Sequence, residues 1–136
     1  MNRLLVLFFV LNLLSCSPHV ELIVFNNTGL TIDIVVHSGS GENEMLQVEN
    51  GAPLAIPFRG TRSWVVRSFN WRYESSHTLP PERFEIRPVT RIASIFHLQL
   101  NRDGGVYLLD PSQPFPATEF VEQPLGYPLR PTSGPR

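Results

Sequence analysis

Apolar and polar residues alternate with a period of two along much of this chain, and no window sustains a 3.6-residue period beyond two turns. Residues 20–26 are a near-continuous apolar run, and Asn27, Thr28 and Gly29 follow with turn chemistry. Leu30, Ile32, Ile34 and Val36 then share one face of an extended segment, with Thr31, Asp33 and His37 on the other, so 20–26 and 30–37 read as a hairpin. Further short strands are expected at 45–48, 54–58, 62–67, 71–74, 84–87, 92–100 and 106–109, separated by polar, glycine-bearing or proline-bearing connections. Ile92, Ser94, Phe96, Leu98 and Leu100 mark one face of the clearest late strand, and Asp103-Gly104-Gly105 supplies a strong turn after it. The pattern predicts an all-β fold, a small antiparallel β-sandwich or partly open barrel of about seven or eight short strands over residues 20–110. Trp64, Trp71, Phe25, Phe96 and Tyr107 are the expected large core fillers.

Two segments fall outside this pattern. Residues 111–136 form a tail that, with Asp110, holds seven of the thirteen prolines, which favours extended polyproline geometry. The tail also carries Phe115, Phe120, Val121, Leu125, Tyr127 and Leu129, which a plain linker would not need. It either covers an open face of the sandwich or docks a partner through Tyr127 and Leu129. At the other end, Met1-Asn2-Arg3 precedes an apolar run from Leu4 to Leu14 broken only by Asn12. A helix of that length spans about 16 Å at 1.5 Å per residue, against about 30 Å of bilayer hydrocarbon. The run therefore reads as a secretory leader over residues 1–15 rather than a membrane span.

The leader ends in Leu13-Leu14-Ser15-Cys16. This motif resembles the lipobox of bacterial lipoproteins: an aliphatic residue, a tolerant position, a small residue and the cysteine that is lipidated after cleavage. The resemblance covers about the first sixteen residues, and no family is recognised for the rest. It implies lipidation of Cys16, a short tether over 16–19 and an envelope protein anchored to the membrane by its acyl chains. Each buried methylene contributes about 0.8 kcal/mol, so several chains together hold firmly. By analogy with enterobacterial lipoproteins, Ser17 rather than Asp after the cysteine points to the outer membrane, with the domain facing the periplasm. Cys16 is the sole cysteine, which excludes an intramolecular disulfide.

Composition sharpens this picture once the leader is set aside. The 136 residues are 42% hydrophobic, but the chain after Cys16 is only about 38% apolar. That still supports a modest core and excludes a wholly disordered chain, and the length excludes a large multi-domain enzyme. The formal net charge of −1 conceals a partition. Residues 17–58 carry five acids and no arginine, residues 59–102 carry eight arginines and three acids, and residues 103–136 carry four acids and two arginines. All eleven basic residues are arginine. Cross-strand pairing accounts for such a partition in a sheet protein. The functional alternative is a basic face of Arg59, Arg62, Arg67, Arg72, Arg83, Arg87 and Arg91 that contacts phosphates or an acidic partner. Nucleic acid is excluded as a partner by the slightly acidic total and the compartment.

The histidines His19, His37, His77 and His97 show no metal-ligand spacing, and half-exposed residues are a plainer reading of His37 and His97 than a site built with Asp33. Gly39-Ser40-Gly41 lacks the frame of a nucleophile elbow. No catalytic residue, metal site or cofactor is expected. The reading is a lipid-anchored, non-catalytic interaction or assembly module with an envelope protein partner. An inhibitor or immunity-type protein that blocks a periplasmic enzyme, or a small-ligand carrier, is the alternative.

Overall fold

The computed structural model describes residues 19–37, 41–58, 63–67, 71–73, 83, 85–86 and 93–134. Eight strands are found among them: β1 (His19–Asn27), β2 (Ile32–His37), β3 (Asn43–Val48), β4 (Pro53–Phe58), β5 (Ser63–Arg67), β6 (Glu85–Ile86), β7 (Ala93–Asn101) and β8 (Val106–Leu108). They form two sheets. One is five-stranded in the order β4-β1-β7-β6, with β8 also on β7; the other is three-stranded, β3-β2-β5. Among the described residues neither sheet closes on itself, and the fold is a small β-sandwich.

Alternation sets the core. Leu22 and Val24 of β1, Ile56 of β4, Phe96, Leu98 and Leu100 of β7, and Val106 and Leu108 of β8 point from the large sheet. Ile32, Ile34, Val36, Val48, Trp64 and Val66 meet them from the small one. Trp64 has no exposed surface. Phe25, Phe96 and Trp71 are also buried, as their size predicts, whereas Tyr107 lies half-buried on the outer face of the large sheet. The expected strand at 71–74 is represented by an isolated bridge, Arg72 with Ser133.

Two pairings depart from the sequence reading. Segments 20–26 and 30–37 do not form a hairpin, because β1 lies between β4 and β7 while β2 lies between β3 and β5. Both are central strands whose edges are taken by other partners, and the chain crosses from one layer to the other at residues 28–31. Asn26 holds that crossing. Fully buried, its Nδ2 donates to the carbonyls of Leu30 at 2.7 Å and Val48 at 2.9 Å. Its Oδ1 accepts from the Thr28 backbone N–H at 3.1 Å and the Thr28 hydroxyl at 2.7 Å. The second departure is that β1 and β7 pair in parallel over nine residues, from His19–Ala93 to Asn27–Asn101. The other strand pairs are antiparallel.

The proline-rich tail is laid over the large sheet. Phe115 stacks on Phe25 with ring centroids 5.1 Å apart. Gln99, buried on the outer face, exchanges two hydrogen bonds with the Ala117 backbone at 2.8 and 2.9 Å. Phe120 stacks on Tyr107 at 4.2 Å. The Gln123 side chain bonds both the N–H and the carbonyl of Leu108, and the chain then returns to pair Leu129 with Val106. In this way the tail covers the outer face and takes the free side of β8. The opposite edge, β4, is closed by composition. Asn26 N–H bonds to Ala52 O, so even-numbered residues of this segment direct their backbone toward β1. Pro53 and Pro57 stand at the alternate, outward positions and offer no N–H there.

Candidate interaction surfaces

The arginines of the expected basic face are placed unevenly. Arg59, Arg62, Arg87 and Arg91 lie outside the described residues, as does Cys16, and Arg67 is described only through its backbone, in register with Asp33. Arg72 and Arg83 are exposed, and both meet the tail. Arg72 exchanges backbone bonds with Thr132 and Ser133, while Arg83 Nη2 lies 3.5 Å from the carbonyl oxygen of Glu122. These two are thus brought to the margins of one segment rather than to each other.

Tyr127 and Leu129, named as docking anchors, are turned inward. Leu129 belongs to the buried core and Tyr127 packs against it. Burial pushes the Tyr127 phenol well above its usual range, and its hydroxyl has no hydrogen-bond partner among the described residues. What these residues anchor is the protein's own tail.

The β7–β8 turn carries a polar cluster that reaches the tail. The Asp103 carboxylate accepts from Gly105 N–H at 2.9 Å, from the Tyr107 hydroxyl at 2.9 Å and from Arg130. The Arg130 guanidinium stands 5.3 Å from the centre of the Tyr107 ring. Behind it, the Tyr73 hydroxyl donates to the Gly104 carbonyl. Gly104 has φ +77°, and a Cβ there would lie 2.6 Å from Trp71 Cδ1, so glycine is required on both counts. This cluster ties Arg130 of the tail to the turn.

Partial burial pushes the Asp103 pKa up, but the bonds from Gly105, Arg130 and Tyr107 outweigh it and hold the carboxyl below its ordinary 3.8. A depressed folded pKa contributes stability above the unfolded value and loses it as pH falls through the folded one. Acidification below about pH 4 is therefore expected to loosen the 130–134 segment. Amide exchange in that segment should rise at low pH in the wild type, and Asp103→Asn should flatten the response. An unchanged response in the variant would assign the effect elsewhere.

His37 and His97 do not converge, and His77 lies outside the described residues. His37 and Asp33 lie on the outer face of the small sheet, and His97 lies on the outer face of the large one. His37 Nδ1 is 2.7 Å from Asn43 Oδ1. His97 packs at 4.9 Å against Phe115, its Nδ1 is buried without a partner among the described residues, and burial lowers its pKa. Among the described residues, no group of three His, Cys, Asp or Glu side chains is placed to hold a metal ion.

One feature escaped the sequence reading, which counted Glu42, Glu44 and Glu49 only toward an acidic stretch. β3 bonds to β2 on one side and has no strand on the other among the described residues. Residues 43–47 are exposed apart from half-buried Leu46, and Met45 is 68% exposed. The residues that could have flagged it are Asn43 to Val48 themselves, a strand-forming run free of proline and glycine whose polar positions sit on both faces.

Fold and surfaces together define a small β-sandwich closed over by its own C-terminal segment. Comparison with protein-family models, with curated proteins and with solved structures finds no match.

Proposed function

We propose that this protein is a lipid-anchored envelope lipoprotein whose β-sandwich faces the periplasm as a non-catalytic protein-interaction or assembly module. The observation that carries the reading is Leu13-Leu14-Ser15-Cys16 at the end of an apolar leader, with Cys16 the sole cysteine. The fold agrees with it in one respect. The first strand begins at His19, three residues after Cys16, so an acylated Cys16 would hold the sandwich directly against the lipid surface. A tether that short fixes the height of the domain and leaves its sheet edges and loops as the parts a neighbour would meet.

Metabolic labelling with palmitate tests the anchor. The wild-type chain is expected to incorporate label and sediment with membranes, and Cys16→Ala is expected to do neither. A wild-type chain that takes up no label refutes the lipoprotein reading. In-cell crosslinking tests the module. A discrete envelope protein neighbour is expected, and recovery of only the lone monomer from gently solubilised membranes counts against it.

A further inference from the structure

We propose that the open edge of β3 accepts an extended strand from a partner protein, and that Glu44 selects a strand carrying Arg or Lys opposite it. This deepens the interaction-module reading and rests on it. On the large sheet, Pro53 and Pro57 remove outward N–H groups from β4, the tail takes the free side of β8, and β6 is only two residues long. Six consecutive residues of β3, about 20 Å of strand, keep an unpaired backbone side among the described residues. Strand addition uses such a row: backbone hydrogen bonds give affinity, and alternate side chains give specificity.

The register says which strand fits. Val36 pairs with both Trp64 and Glu44, so the core-facing row that begins with fully buried Trp64 ends at the rim on a carboxylate. The next row, Val66–Ile34–Leu46, ends on a half-buried leucine, and the outer-face row Val65–Val35 ends on exposed Met45. An incoming strand extends each row by one residue. Apolar residues extend the rows ending at Leu46 and Met45. An apolar residue beside Glu44 would strip water from its carboxylate, whereas an Arg or Lys neutralises it while its stem covers Val36.

Charge also rejects a second copy. Glu42, Glu44 and Glu49 lie in or beside β3 and residues 41–50 contain no basic residue, so two β3 edges would oppose like charges. The acidic rim therefore favours a basic strand from another protein.

The test uses the purified full chain and two capped peptides, Val-Val-Arg-Val-Val-Thr and its counterpart with Glu for Arg. The arginine peptide in excess is expected to slow amide exchange at residues 43–48, and the glutamate peptide to do so several-fold less well. Glu44→Lys, a change at an exposed side chain, is expected to reverse that order. N-methylation of alternate peptide nitrogens should abolish the protection. The proposal is overturned if neither peptide protects 43–48, if N-methylated peptide binds as well, or if Glu44→Lys leaves the preference unchanged. A wild-type dimer that protects the same amides overturns it in favour of a second copy. None of these readouts depends on acylation, so failure of the anchor and failure of the edge are separable.

Discussion

Removal of residues 111–136 is expected to abolish cooperative folding. Truncation takes Leu129 out of the core and uncovers Phe25, Gln99 and Tyr107 on the outer face of the large sheet. The side chain of Gln99 then loses both partners on Ala117, and β8 loses its bonds to Gln123 and Leu129. Burying a side chain the size of Leu or Phe contributes about 1.5–3 kcal/mol, and each internal hydrogen bond exchanged for water costs about 0.5–1.5 kcal/mol. Several of each approach the whole stability of a small domain, about 5–15 kcal/mol. Thermal unfolding followed by near-ultraviolet circular dichroism is the measurement: a sharp transition in the full chain and none in the truncated one. A truncated chain that melts sharply within a few degrees of the full one would make the tail an accessory.

Asn26→Ala is expected to destabilise the domain by about 3 kcal/mol or more. The substitution takes a donor from the carbonyls of Val48 and Leu30, the latter keeping the Thr28 hydroxyl, and removes the acceptor of the Thr28 N–H, at the point where the chain changes sheets. Asn26→Asp keeps the acceptor but places a carboxylate against those two carbonyls in a site with no exposure, so it should be at least as damaging. Urea midpoints for the two variants check this. A loss below about 1 kcal/mol for the alanine variant would mean that water or a local shift replaces the side chain.

The strands themselves were legible from alternation. Ile32, Ile34 and Val36 face the core as their spacing requires, and Phe96, Leu98 and Leu100 do so from β7. Which strand lies beside which was not legible. Val20 to Phe25 reads as apolar on both faces, which is true of a central strand but does not say that its neighbours are β4 and β7. A turn sequence after it suggested a hairpin because Asn, Thr and Gly serve a crossing between layers as well as a return within one. Asn26 was read as the end of a strand, and nothing local to it reveals that its amide reaches Val48, twenty-two residues away. Tyr127 and Leu129 stand out in the sequence because large apolar residues in a proline-rich tail must bury somewhere; the tertiary structure places Leu129 in the core with Tyr127 packed against it. The edge at β3 was invisible for the complementary reason. An edge is defined by what is not paired, and composition carries no record of that.

The parallel pairing of β1 with β7 sets an order of assembly. The two strands are 74 residues apart along the chain. Emerging N-terminus first, β1 can gain β4 early, but its other side stays open until β7 has followed, and the outer face stays open until the tail has closed over it. Contacts of such long sequence separation slow folding, because the loop must close before the contact stabilises it. A chain that lacks the tail presents an uncovered sheet, because Phe115, Ala117 and Phe120 are what cover Phe25, Gln99 and Tyr107.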